Sequence, residues 1–314
     1  MGAMDSIQDF LAMAIVAAMP LLFATVGELI TEKSGSLNLG VEGMMLMGAV
    51  IGFIVSYNTQ NSALGLAGAF IAGAGGALIF AIVTVTLRGN QVVTGLTLTI
   101  FGTGFSSFVG DPLIGKSVPF AVQAFFMKKD IPLLSDIPFI GPIFFRQDVF
   151  VYIGYILVAV ATIYLFKTKL GRNMRAVGEC TAAADASGVP VNVYKYVHIL
   201  IGGGFCGMGG AYLALVYVPI WQADVVTGRG WIAVALVIFA SWNPIKAFAG
   251  SFLFGALSIL GFWLQVLGLR TSQYVVDMFP YVATILIVIL STRKNRKEDL
   301  PPADLSVPYF REER

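Results

Sequence analysis

Gly110 to Ser117 spell GDPLIGKS, which fits the phosphate-loop pattern GxxxxGK[ST] letter for letter. That pattern binds nucleotide when a strand precedes it, its amides face phosphate and a helix starts at the lysine. Here an apolar run precedes it, Pro112 removes an amide and Pro119 follows almost at once. ATP chemistry is therefore expected in another chain. Cys180, Cys206 and His198 are metal-ligand types without metal-ligand spacing, so neither a metal site nor a disulfide framework is expected, and His198 reads as a helix-lining residue. The polar residues inside the apolar parts of the chain are more informative. Glu28, Glu32, Lys33, Asn38 and Glu42 crowd into GELITEKSGSLNLGVEG between two long apolar runs, Gln91 and Thr94 open another run, and Asn243 interrupts a short one. Polar groups at membrane depth are costly and tend to face a pathway or a partner helix. Glu28, Asn38, Glu42, Gln91, Thr94 and Asn243 are thus candidate substrate-pathway residues; the competing reading makes the carboxylates, with Lys33, pins for helix ends. Tyr217, Trp221 and Trp231 read as an interfacial aromatic belt, or else as a surface that docks a delivery protein or stacks a base.

The basic stretch Lys167 to Lys195, KTKLGRNMRAVGECTAAADASGVPVNVYK, lies between two long apolar runs. Lys167, Lys169, Arg172 and Arg175 are accounted for as positive-inside anchors. The residues that follow ask for more. Arg175 to Ala186 predicts a short amphipathic helix with Glu179 and Asp185 exposed, stopped by Gly188 and Pro190. A rigid helix across the ends of two spans is a lever on which a soluble partner can push.

These segments sit in a chain of 314 residues that is 57% hydrophobic and 12% charged, with a mean hydropathy of +0.82. That leaves too little polar surface to clothe a soluble globule and predicts an all-α polytopic membrane protein. A helix needs roughly 20 apolar residues to cross the hydrocarbon. Candidate spans are 10–26, with Pro20 inside it, 39–57, 63–87, 92–109, 149–166, 197–218, a short 231–242, 247–267 and 274–291. Nine is the favoured count, with eight or ten allowed by broken or re-entrant segments. The first apolar run lacks a basic leader and a cleavage site and reads as retained. The five prolines and mixed charges of 110–148 predict a folded or partly re-entrant external loop, and GGGFCGMGGA at Gly202 to Ala211 predicts close helix packing. Residues 1–292 read as a single transmembrane domain and 293–314 as a polar tail too poor in apolar residues to fold alone. With the tail inside, alternation places Lys33, Arg88, Lys167, Lys169, Arg172, Arg175, Lys195, Lys246, Arg293, Lys294, Arg296 and Lys297 inside. Only Lys116, Lys128, Lys129, Arg146, Arg229 and Arg270 fall outside. Twelve against six supports N-out, C-in.

GRNMRAVGECTAAADASGVPVNVYK resembles the coupling loop of ABC importer permeases of the branched-chain amino acid and ribose class. Gly171, Arg172, Arg175, Ala176, Gly178, Ala182, Ala183, Gly188 and Val189 stand at the matching places, and Cys180 where asparagine is common. Gly27 to Met45 and Gly228 to Gly255 agree, the former being similar to permeases that work with basic-membrane-protein-type lipoproteins and import nucleosides. The resemblance spans roughly residues 10–292. It implies a transport subunit with no catalytic residue and no cofactor of its own. Its partners would be a homologous second permease, a cytoplasmic ATPase that binds ATP and magnesium, and an external substrate-binding lipoprotein. Gly171, Arg172, Arg175, Ala176, Gly178, Glu179, Ala182, Ala183 and Gly188 would couple to that ATPase in the bacterial plasma membrane. No nucleic acid is expected as partner. Riboflavin, sugars and branched-chain amino acids compete with nucleosides as substrate. An ion-coupled secondary transporter using Glu28 and Glu42, or a channel or scaffold subunit, would need no coupling helix.

Overall fold

The computed structural model describes residues 3–266, 272, 275–276, 278–292 and 300–311. Leu267, Arg270, Tyr274 and the basic cluster Arg293 to Lys297 lie outside the described residues. Among those described, seven helices are long and apolar enough to cross a membrane. They are α1 (Ala3–Lys33), α2 (Val41–Thr59), α3 (Ser62–Ala81, continued by a π turn Ile82–Thr86), α4 (Gln91–Gly110), α7 (Val149–Lys167), α10 (Val191–Tyr212, continued by a π turn Leu213–Tyr217) and α12 (Pro244–Val266). The 110–148 loop folds as two short helices, α5 (Phe120–Phe125) and α6 (Ile140–Phe144), with a two-stranded antiparallel ribbon of β1 (Lys129–Asp130) and β2 (Arg146–Gln147). Two short helices, α8 (Lys169–Glu179) and α9 (Thr181–Ala186), link α7 to α10; α11 (Arg229–Phe239) precedes α12, and α13 (Phe279–Thr292) follows it.

Helix starts follow local side-chain chemistry. Asn61, Asn90, Asp148 and Thr168 accept first-turn amides of α3, α4, α7 and α8, which would otherwise be orphaned in an apolar setting. Asn243 does the same for α12, with Pro244 next to it where a missing amide costs nothing.

The centre of the bundle is α1, α2, α3 and α10, and glycine lets their backbones touch. Gly48 of α2 faces Gly207 of α10, Gly73 of α3 faces Gly203 and Gly207, and Gly27 of α1 faces Gly202. In lipid, where burial against a neighbour gains little over burial in acyl chains, such close approach supplies the packing energy. A side chain at Gly48 would meet the backbone of Gly207 rather than a yielding side chain. Gly48→Leu is expected to leave α2 and α10 unable to seat. The check is a size-exclusion profile and thermal melt in detergent, where a monodisperse, wild-type-like variant would contradict this packing.

Two segments that join helices, 34–40 and 218–228, run irregularly within the bundle. After Lys33 the chain turns at Gly35 (φ +86) and runs back into the bundle beside α4. Leu37 N–H donates to the Gln91 side-chain Oε1 at 2.7 Å, Leu39 and Gly40 lie on Gly95 and Leu98, and Gly43 lies on Gly102. α2 therefore begins some seven residues, roughly 11 Å, up the length of α4. The stretch expected as the short span 231–242 differs as well. Its helix, α11, has 11 residues, roughly 16 Å and about half the hydrocarbon thickness. It runs alongside the second half of α1, with Ala233 opposite Thr25 and Trp242 opposite Glu32. Residues 218–228, which lead into it, are irregular, with 223–228 in turns and Asp224, Thr227 and Gly228 at positive φ. They start from a backbone pairing of Ser117 with Ile220 that engages the amides of Gly115 and Val118 and the carbonyl of Lys116. The phosphate-loop look-alike is thus committed to main-chain pairing.

Candidate functional site

The basic stretch forms a two-piece surface at one end of the bundle. Thr168 is extended; its Oγ1 accepts the Gly171 amide at 3.0 Å and donates to the Tyr164 carbonyl at 2.7 Å, so α8 leaves α7 at a fixed corner. The single helix expected over 175–186 is instead two. Cys180 adopts φ −154°, ψ 93°, which interrupts the helical ladder between α8 and α9, and Gly188 (φ +82) makes the turn into Pro190 and α10. The expected coupling residues divide by exposure. Gly171 is buried against the backbone of Tyr164 and Leu165, and Gly178 against the Lys33 carbonyl and the Gly35 amide, where no side chain fits. Arg172, Ala176, Glu179, Ala182, Ala183 and Gly188 face outward. Arg175 is half-buried, its guanidinium over the Phe166 ring at 5.5 Å. The result is a shallow face of small residues, rigidly held from below.

Asp185, expected to be exposed, is not. Its side chain is 12% exposed and is held by the Tyr309 hydroxyl at 2.7 Å and by Arg311 at 3.2 Å. Those partners come from the tail, whose described part, 300–311, lies against α8 and α9. Too polar to fold alone, this segment is ordered on a surface made by the rest of the chain.

The polar residues inside the bundle meet a different need. Glu28 Oε1 accepts the Asn38 amide at 2.9 Å, Asn38 Oδ1 accepts the Gly40 amide at 2.9 Å, and Gln91 holds Leu37. Glu42 accepts from Gly228 N at 2.7 Å with one carboxyl oxygen and from Gly230 N at 2.6 Å with the other, closing the N-terminus of α11 from across the bundle. Glu32 accepts the Trp242 indole N–H at 2.6 Å just past the far end of that helix. Backbone that is neither helix nor strand must find partners when water is absent. These side chains provide partners for the amides of Leu37, Asn38 and Gly40 in one irregular segment and of Gly228 and Gly230 where the other meets α11. The geometry therefore favours the pinning role for Glu28, Glu32, Asn38, Glu42 and Gln91. Asn243 is spent as a helix cap, and the Thr94 hydroxyl bonds back to the Asn90 carbonyl at 2.7 Å beside a 330 Å³ apolar groove.

Trp221 is 1% exposed, packed on Phe53 and on the space left by Gly110, so it is a core residue rather than a member of an interfacial belt. Trp231 is exposed. His198 bonds the Tyr164 hydroxyl at 2.7 Å and the Tyr194 carbonyl at 2.6 Å, as a core histidine does. No cluster of three or more metal-ligand types occurs among the described residues. At the opposite end of the bundle, Asp148 caps α7 and accepts the Tyr212 hydroxyl at 2.6 Å. Burial raises its carboxyl above the ordinary carboxylate range, and the hydrogen bonds from Tyr212 and the α7 amides work against that rise.

This architecture has counterparts among known proteins. Residues 10–290 match the model of the family described as branched-chain amino acid transport system / permease component. The chain belongs to this permease family. It is 36% identical to TsgC13 of Haloferax volcanii, by provisional name a glucose ABC transporter permease, over 95% of this chain and 96% of that one. It is 34% identical to the guanosine ABC transporter permease NupQ of Bacillus subtilis over 96% of both chains. It is 31% identical to the nucleoside ABC transporter permease NupC of Lactococcus lactis, over 92% of this chain and 94% of that one. No solved structure matches it significantly. The protein is an ABC transporter permease, a multi-pass transport component of the bacterial cell membrane.

The permease thus carries features its motif does not announce: the break at Cys180, the tail laid over it, and the Glu42 cap. Each joins residues far apart in the chain, and no local pattern encodes such a pairing.

Proposed function

We propose that this permease forms one half of the translocation pathway of a nucleoside importer and is driven by a separate cytoplasmic ATPase that bears on α8 and α9. The observation that carries the reading is the outward face of Arg172, Ala176, Ala182, Ala183 and Gly188, seated by Gly178 on the end of α1 and by Gly171 on the end of α7. A firmly mounted surface built mainly of small residues suits a partner that must transmit force rather than bind substrate. ATP and magnesium are assigned to that ATPase and no cofactor to this chain. A homologous second permease completes the pathway, and an external lipoprotein delivers the substrate.

Residues 1–292 act as one permease domain. Nine traverses, the seventh made by the irregular segment 218–228 plus α11, put the α8–α9 end in the cytoplasm and the 110–148 loop outside, a reading the excess of lysine and arginine on the inner side supports. The movement fits a two-state element whose balance the nucleotide shifts. Glu28, Asn38, Glu42 and Gln91 serve the route by holding its non-helical walls, whose backbone a substrate passes.

The relatives that handle guanosine and nucleosides support a nucleoside substrate. A sugar is the second reading, supported by the relative named for glucose. Reconstitution in proteoliposomes with the neighbouring permease, ATPase and lipoprotein tests both. Labelled guanosine is expected to enter only with ATP, glucose is not, and Arg175→Glu is expected to assemble yet lose both uptake and stimulated hydrolysis. Uptake on an ion gradient without the ATPase would overturn the proposal.

A further inference from the structure

We propose that residues 300–311 are a strap that holds α8 and α9 at their working angle, with Asp304 as its positioning residue; this deepens the reading of that face as the ATPase contact. The break at Cys180 leaves a helix C-terminus and a helix N-terminus side by side, each with backbone groups that have no helical partner. Asp304 serves both. Its amide donates to the Gly178 carbonyl at 2.9 Å, and its carboxylate accepts the Thr181 amide at 2.6 Å. A negative charge at that end of α9 also lies where the helix dipole favours it. One residue thus spans the hinge, and the angle between the two helices depends on it.

The rest of the strap fixes Asp304 in place. Ala303 N–H reaches Glu179 at 3.4 Å, Ser306 N–H reaches the Gly35 carbonyl at 3.3 Å, and Leu305 packs on the central core. Farther along, Tyr309 packs on Val177, Ala184 and Val191 while its hydroxyl holds Asp185, and the Arg88 guanidinium lies over the Phe310 ring at 4.7 Å. The strap therefore ties three turns at the same end of the bundle: the one after α1, the one between α3 and α4, and the α8–α9 hinge. A push on α9 reaches Gly35 and Arg88 through it, and Gly35 lies in the irregular segment that leads into α2, whose first turn carries Glu42. The hydrogen bonds the strap makes are local and few, so its role is to set geometry rather than to supply the bulk of the stability.

The test has two arms. In the purified chain in detergent, hydrogen exchange of peptides covering 176–188 is compared for wild type, Asp304→Ala, Asp304→Asn and a chain stopped after Asp299. Exchange at Thr181 and its neighbours is expected to rise at least tenfold, by order of magnitude, in the alanine variant and the shortened chain. Asparagine keeps an acceptor oxygen and is expected to restore slow exchange. In the reconstituted importer, Asp304→Ala is expected to lower substrate-stimulated ATPase turnover about tenfold with KM for ATP unchanged, again with rescue by asparagine. Unchanged exchange in the shortened chain overturns the strap. Altered exchange with unchanged stimulated turnover overturns its role in coupling. Wild type showing no ATP-dependent uptake overturns the importer reading instead, leaving the exchange result to judge the strap alone.

Discussion

Glu42→Ala is expected to abolish uptake and to destabilise the bundle by roughly 1–4 kcal/mol. Two amides lose their acceptor, the buried one of Gly230 at about 1–3 kcal/mol and the half-buried one of Gly228 at less. They lie at the start of a helix whose N-terminus lies inside the bundle. Gly228 sits at φ +82, so the turn that presents these amides is itself conformationally specific. Glu42→Gln keeps one acceptor oxygen but turns an NH₂ group toward the other amide, and should fall between alanine and wild type. Thermal unfolding in detergent separates the three, and uptake should follow the same order. An alanine variant that melts with wild type would show that α11 is held by packing and that the cap is dispensable.

Gly178→Leu and Ala183→Leu should fail in opposite ways, although both add a side chain to the same small surface. Gly178 is buried, and a side chain there meets the carbonyl of Lys33 and, at 3.1 Å, the amide of Gly35. Neither is the end of a flexible side chain, so α8 must lift away from α1. Leucine at 178 is expected to lower the melting temperature by several degrees, as overpacking of about 1–3 kcal/mol does. It should also uncouple hydrolysis from transport more than tenfold. Ala183 faces outward and touches nothing that leucine would displace in the chain alone. Its variant should melt like wild type and lose association with the ATPase, as read by co-purification. If Ala183→Leu associates and transports normally, the outward face is not the contact.

The sequence by itself was enough for much of this permease. Seven of the apolar runs appear as long helices, the glycines of 202–210 bring α10 against α1, α2 and α3, and the look-alike phosphate loop could be set aside on Pro112 and Pro119. The motif from Gly171 to Gly188 pointed to a surface element with a glycine-proline stop. Apolar length, small-residue spacing and turn chemistry are local quantities, so they survive without knowledge of the fold.

What was not legible depended on which distant groups meet. Glu28, Asn38, Glu42 and Gln91 read as pathway residues or, for the carboxylates, as pins for helix ends, and only the structure shows that they accept amides of the irregular segments 34–40 and 218–228 and of the start of α11. Trp221 looks like a belt residue until Gly110 makes room for its ring. The run Arg175 to Ala186 has helical composition throughout, and the break at Cys180 is matched by Asp304, more than a hundred residues later. A polar tail has no apolar pattern to betray it, because it is ordered by backbone groups that another part of the chain leaves unpaired. In an environment without water those unpaired groups decide which residues must come together, and only the tertiary structure shows where they are.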